Sequence, residues 1–251
     1  MRCQPLRFAL LAATLATPSL FAADQYPVDW KQQQSEILEH YSNLIRIDTS
    51  SPPGNETKAA QYLKTVLERE GIPAQIYELE PGRGNVVARL KGNGSKKPLL
   101  VMGHLDVVGV QKEKWTVDPF AALRKDGYVY GRGSIDDKDK VTSALMTMLL
   151  LKRMKVPLDR DVIFLGEAGE EGGANVGIGF MVNQHWNDIE CEIAITEGGS
   201  AMSRDGQVRT IEIATTEKVP RGVRLVAHGQ AGHGSRPRLD NPLSHLAEAV
   251  A

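Results

Sequence analysis

The apolar positions of this chain fall into two alternating rhythms. Residues 29–47 place Ile37, Leu38, Tyr41, Leu44 and Ile45 at helical spacing. SSPPGNE follows as a loop, with Pro52 and Pro53 breaking helix and Gly54 permitting a turn. ETKAAQYLKTVLERE predicts a second helix, stopped by Gly71. Three short strand-like runs come next, AQIYEL, NVVARL and PLLVMGH. KVTSALMTMLLLKRM predicts a buried helix ending before Pro157, DVIFLGE a buried strand, GIGFMVNQHW a helix and CEIAITE a further strand. Helices alternating with β-rich apolar runs predict an α/β architecture, a mixed, largely parallel sheet sandwiched by helices. After about residue 217 the character changes. RGVRLVAHGQ predicts a new half-exposed strand, and NPLSHLAEAVA opens a helix with no Gly, Pro or basic last turn to close it. The expectation is a second, smaller α+β domain of which the chain holds only the beginning, so that the 251 residues are part of a longer protein.

The N-terminus carries a different pattern. MRCQPLRFALLAATLATPSLFAADQ has Arg2 and Arg7, the apolar stretch FALLAATLA and small residues at Ala22 and Ala23. That is the layout of a secretory signal peptide over residues 1–23, with an apolar run too short to span a bilayer. Cleavage after Ala22 or Ala23 leaves Leu20 or Phe21 at the −3 position, a poor fit to the small-x-small rule. The expectation is a periplasmic or secreted protein, with no membrane attachment after cleavage. Removal of the signal takes Cys3 with it and leaves Cys191, which cannot form an internal disulfide and reads as a core thiol. A composition of 41% hydrophobic and 24% charged residues suits an ordinary globular fold. A net charge of −1, with no long basic stretch, argues against a nucleic-acid partner.

The 31 acidic residues matter for where they cluster. An open α/β sheet presents its functional groups at the carboxyl ends of its strands. PLLVMGHLD delivers His104 and Asp106, two positions apart and so on one side of an extended chain. YGRGSIDDK delivers Asp136 and Asp137, VIFLGEAGEEGG delivers Glu167, Glu170 and Glu171, and CEIAITEGG delivers Glu197. Glycines crowd these segments. Several carboxylates in one cleft repel and cannot all ionise without a cation. Lys138 and Arg132 are the only basic side chains near them in sequence, so a divalent metal held by an imidazole and carboxylates is the reading that satisfies the charge. Taken singly, each acid reads as a solvated loop residue; four strand ends together read as a site.

In this order, GHLDVV, YGRGSIDDK, GEEGG, TEGG and GQAGHGSRP resemble the zinc metallopeptidase family of carboxypeptidase G, aminoacylase, acetylornithine deacetylase and succinyl-diaminopimelate desuccinylase. WTVDPF followed by DGYVYGRGSIDDK looks nearest to the carboxypeptidase S branch. The resemblance implies a dizinc exopeptidase-like catalytic domain whose N-terminal part is residues 24–217, and a lid or dimerisation domain that begins at 218–251. It implies two zinc ions, with cobalt a substitute: His104, Asp136 and Glu197 on one, Asp136 bridging to a second that Glu171 also ligates. It implies Glu170 as general base, Asp106 as the residue that orients His104, a cis peptide at Asp136–Asp137, and His233 as an oxyanion donor reaching across a homodimer. Glu at position 197 implies cleavage of a peptide or N-acyl amide bond beside a free carboxylate, the substrate being a small peptide or N-acyl amino acid.

Two features depart from the family. Asp139 stands where many members have Gly, and an acid is tolerated in a first helical turn. The family's second metal site also needs a histidine from beyond the lid, and His245, in a helix-like stretch, is not a candidate. The first metal site is therefore complete in this sequence and the second is not, which predicts weak activity for the chain alone. Trp115 and Phe120 read as packed loop anchors, with pocket lining as the alternative. A serine hydrolase would need G-x-S-x-G and a nucleotide enzyme G-x-x-x-x-G-K-[ST]; GHGSRP and GNGSKK supply neither. The competing reading is an exported, non-catalytic metal-binding protein.

Overall fold

Helix α1, Trp30–Arg46, starts where the Asp29 carboxylate accepts from Gln32 N at 3.1 Å, satisfying one of the amides that a helix start leaves open. Its buried face carries Leu44 and Ile45. In the computed structural model, which describes residues 25–216, 222–236, 238 and 240–251, the chain divides into one unit up to Glu197 and another from Gly198 on. The expected signal peptide lies outside the described residues.

In the first unit the order continues as β1 Ser50–Ser51, α2 Glu56–Arg69, β2 Ala74–Glu78, β3 Gly84–Leu90, β4 Leu99–His104, β5 Val107–Val108, β6 Leu123–Lys125, β7 Tyr128–Tyr130, α3 Lys138–Arg153, β8 Val162–Glu167, α4 Ile178–Gln184, α5 Trp186–Ile189 and β9 Ile193–Ile195. Helix α2 gives way at Gly71, whose φ of +67° is the conformation expected of a residue just past a helix end. Five strands form one sheet in the order β2-β3-β8-β4-β9. The β2/β3 and β3/β8 pairings are antiparallel, and β8/β4 and β4/β9 are parallel. The sheet is therefore mixed as expected, with the parallel share confined to the β8-β4-β9 half.

Alternation along the strands feeds two cores. Val86, Ala88 and Phe164 face α1, α2 and α3, where they pack with Leu44, Leu63, Leu67, Leu145 and Met148. Val87, Ile163 and Leu165 face the other way, against Phe180 and Met181 of α4 and Ile189 of α5. Period-two alternation thus puts a helical layer on each side of the sheet. Each fully buried side chain such as Phe164 contributes about 1.5–3 kcal/mol of burial free energy. Two segments differ from expectation. GIGFMVNQHW is interrupted at His185 and yields two short helices. Strand β9 pairs only with β4 among the described strands, and Ile193 and Ile195 are 51% and 52% exposed, because it lies at the sheet's edge. Cys191, just before it, packs half-buried against the second core.

Two hairpins were not anticipated, β6/β7 and, in the second unit, β10 Ser200–Arg204 with β11 Gln207–Glu212. Both turn on Asp-Gly, at 126–127 and 205–206, with positive φ at both turn residues, the conformation whose twist suits a two-residue hairpin. The second unit ends in α6, Pro242–Val250, capped by the Asn241 side chain accepting from Leu243 N. The strand expected over RGVRLVAHGQ is absent at residues 222–230. Its alternating pattern has no neighbouring strand among the described residues, and a strand without a hydrogen-bonded partner is not stable. Residues 217–221 lie outside the described residues.

Candidate metal centre

Strands β4 and β8 run parallel and end in register, His104 beside Glu167. The segments that leave these ends carry the predicted residues. His104 is 2% exposed and Asp106 is fully buried, so both lie at the floor of the site. His104 Nδ1 lies 3.0 Å from the Asp106 carbonyl oxygen and 3.3 Å from its carboxylate, which fixes the ring and leaves Nε2 for the cluster. The same Asp106 carboxylate accepts from Glu170 N at 3.0 Å and Glu171 N at 3.1 Å. One buried side chain therefore sets both the imidazole and the backbone of the two-acid segment.

His104 Nε2 is 2.8 Å from Asp136 Oδ1 and 3.9 Å from Glu197 Oε2. Ligand-capable atoms of His104, Asp136 and Glu171 lie within 4.8 Å of one another, and so do those of His104, Asp137 and Glu197. The peptide between Asp136 and Asp137 is cis, as the resemblance implied. Asp137 was not among the expected ligands. Its Oδ2 accepts from His104 N at 3.1 Å, and it reaches that amide because Gly103 has no side chain; a Cβ there would lie 2.6 Å from Oδ2. The sequence offered one signal for it, the second acid of GSIDDK.

The electrostatics demand positive charge. Burial opposes the charged form of His104, but the Asp106 and Asp136 carboxylates outweigh it and push the imidazole up to about 10. Burial pushes Asp137 up to about 7, with His104 opposing and Glu197 adding to the rise. Glu171 is raised by burial and by Asp136. An imidazole flanked by carboxylate oxygens is a ligand set that suits zinc, and a divalent ion resolves the repulsion that the acids otherwise meet by taking up protons. The residues fit such an ion. Lys138, the nearest lysine in sequence, is turned away from this role. Its buried ammonium donates to Leu44 O at 2.8 Å and Ile47 O at 2.7 Å, closing the end of α1. Arg132 stacks 5.5 Å over the Trp115 ring, an arrangement in keeping with a loop anchor.

Six of the seven predicted site residues, His104, Asp106, Asp136, Glu170, Glu171 and Glu197, belong to the first unit. Glu170 is exposed beside these groups, its amide held by Asp106. His233 belongs to the second unit, where it is exposed and its Nδ1 meets the Ser235 hydroxyl at 2.8 Å. His245 pairs with Asp240 at 2.9 Å on the surface of that unit.

An α/β sandwich whose strand ends gather one imidazole and several carboxylates is an arrangement able to hold a metal ion. The model of Peptidase family M20/M25/M40 matches residues 100–250, and the chain belongs to that family. Among curated relatives it is 35% identical over 146 residues to an N-formyl-4-amino-5-aminomethyl-2-methylpyrimidine deformylase of Halalkalibacterium halodurans, covering 57% of this chain and 34% of that one. It is 29% identical over 239 residues to the human N-fatty-acyl-amino acid synthase/hydrolase PM20D1, covering 88% of this chain and 46% of that one. Among solved structures it resembles the M20 family metallo-carboxypeptidase Sso-CP2 from Sulfolobus solfataricus, at 28% identity and a TM-score of 0.58, covering 65% of this chain and 37% of that one. The chain spans between a third and a half of the length of these relatives.

Proposed function

We propose that the protein is a zinc-dependent hydrolase of C–N bonds, cleaving a peptide or N-acyl amide next to a free carboxylate. The observation that carries this reading is the convergence of His104, Asp136 and Glu171 within 4.8 Å, with Glu170 adjacent in the chain. His104, Asp136, Glu171 and Glu197 hold the metal, as two zinc ions in the family arrangement with cobalt as a substitute. The metal, when bound, supplies Lewis acidity toward the scissile carbonyl and lowers the pKa of a water. Glu170 takes the proton from the attacking water and delivers it to the leaving nitrogen. Asp106 keeps the His104 ring in one tautomer and keeps Glu170 and Glu171 in place through their amides. His233 donates to the developing oxyanion, from a partner subunit in a homodimer. The activities for which the relatives are named, removal of a formyl group and synthesis or hydrolysis of N-fatty-acyl amino acids, are of the same bond class. They support an acyl amino acid or small peptide as substrate and leave the acyl group open. A periplasmic or secreted location, from the signal-like N-terminus, belongs to the same proposal.

The test is hydrolysis of N-acyl amino acids and short peptides by the zinc- or cobalt-loaded protein and by Glu170→Ala. Loss of a general base is expected to lower kcat about 10²–10⁴-fold with metal still bound. Equal rates would end the general-base assignment. Metal binding without hydrolysis in either protein would favour the non-catalytic metal-binding reading.

A further inference from the structure

Asn85 lies at the start of β3, two strands from His104, and is fully buried. Its Oδ1 accepts from Ala168 N at 2.9 Å, and its Nδ2 donates to Val176 O at 2.8 Å and Tyr77 O at 3.3 Å. Those two short bonds grip the segment 168–176 at both ends, and that segment carries Glu170 and Glu171. Only this orientation of the amide works, since an N–H faces the oxygen and carbonyls face the NH₂ group. Between the two ends, Asp106 holds the Glu170 and Glu171 amides, and Gly173 N donates to Gly169 O at 2.9 Å. Just beyond them the Glu167 carboxylate accepts from Ile178 N at 2.8 Å. The segment is therefore tied to buried groups on two different strand ends.

We propose that Asn85 is a positioning residue for the metal centre: its carboxamide clasps residues 168 and 176 and so fixes where the Glu170 and Glu171 carboxylates stand. The proposal rests on the metallohydrolase reading for its consequence, and on the hydrogen bonds alone for its mechanism. An aspartate in this place keeps the acceptor for Ala168 N but has no proton for Val176 O or Tyr77 O, and sets a second anionic oxygen against two carbonyls. An alanine releases both ends. Neither change touches a ligand or the base.

The experiment compares Asn85→Asp and Asn85→Ala with Val87→Ala, a core change two positions along the same strand and on the same face of the sheet, which removes apolar packing against Phe180 and Met181 but no hydrogen bond. Amide hydrogen exchange is read on the metal-free proteins and zinc affinity by competition with a chromophoric chelator. In the unaltered protein the Ala168, Glu170 and Glu171 amides are expected to be protected far beyond an ordinary loop. The Glu170 and Glu171 amides lose protection in both Asn85 variants, and the Ala168 amide in Asn85→Ala, while those of β8 keep theirs, and zinc binds about 10–100-fold more weakly in both. Val87→Ala lowers stability without either change. Unprotected Ala168, Glu170 and Glu171 amides in the unaltered protein overturn the proposal even if no Asn85 variant folds. So does an Asn85→Asp protein whose loop exchange and zinc affinity match those of Val87→Ala. Absence of zinc binding in the unaltered protein overturns the metallohydrolase reading instead, and the exchange data then still decide the clasp.

Discussion

His104 and His233 stand out in the sequence for the same reason, an imidazole in a glycine-flanked motif, yet their surroundings have little in common. His104 is buried at a strand end, with carboxylates on both ring nitrogens. His233 is exposed and meets a serine two residues away. A ring held by fixed, desolvated partners is preorganised, and the free energy of holding it is supplied by the fold before any ligand arrives. A ring held by its own loop has no such support within its unit. The contrast predicts that zinc binding answers to the first histidine and not to the second.

The largest expected effect follows from removing the shared member of both ligand groups. His104→Ala is expected to weaken zinc binding by more than about 100-fold, since it takes the proposed direct ligand common to both candidate groups and not merely a supporting group. Isothermal titration with zinc checks it. Wild-type affinity in this variant would place the metal elsewhere.

A smaller loss is expected at Asp106. Asp106→Asn keeps the shape but turns an NH₂ group toward one of the amides that the carboxylate now accepts. Zinc affinity is expected to fall about 10–100-fold. Stability in urea should fall by about 1–3 kcal/mol, the cost of leaving a buried donor unsatisfied. A variant that lost stability but bound zinc normally would show that Asp106 supports the fold without orienting the site.

The pH dependence of the metal-free chain sharpens the comparison further. His104 is raised from 6.5 to about 10, so its contribution is fully present below about pH 6.5 and is lost as pH rises toward 10. Asp137 and Glu167, raised by burial to about 7, cost stability as pH climbs from about 4 to 7. Lys138, lowered by burial to about 8, works in the opposite sense between pH 8 and 10.5. The clean window is pH 7 to 8, where His104 dominates. Urea denaturation should show a fall of about 1 kcal/mol across that unit, smaller in His104→Ala, where Asp137 and Glu167 lose the charge that holds them down. An identical slope in both proteins would contradict the charged, carboxylate-held ring.

Much of this was legible in the chain because its signals are local. Short apolar, strand-like runs matched β2, β3, β4 and β8 within a residue or two of their observed ends, and helical spacing matched α1, α2 and α3. The site was legible because acids collect at strand ends, a consequence of α/β topology that needs no three-dimensional detail. What escaped depends on partners distant in sequence. RGVRLVAHGQ alternates like a strand, but pairing decides, and the described part of it pairs with no strand among the described residues. Asn85 is one amide in an apolar run, and its role exists only through Ala168 and Val176, more than 80 residues away. The two hairpins are the exception, since Asp126–Gly127 and Asp205–Gly206 carried a turn signal within the sequence itself.

The smallest effect on the folded chain is expected from His233→Ala. The side chain is exposed, and its hydrogen-bond partner Ser235 lies in the same loop, so nothing buried is left unsatisfied when it goes. Substitutions of this kind shift stability by no more than about 0.5 kcal/mol. Zinc affinity should match that of the unaltered protein, and any cost should appear in turnover alone, as expected of the proposed oxyanion donor, which would act only on the transition state. A His233→Ala protein with weakened zinc binding would break the contrast between the two histidines and make the second unit part of the metal centre.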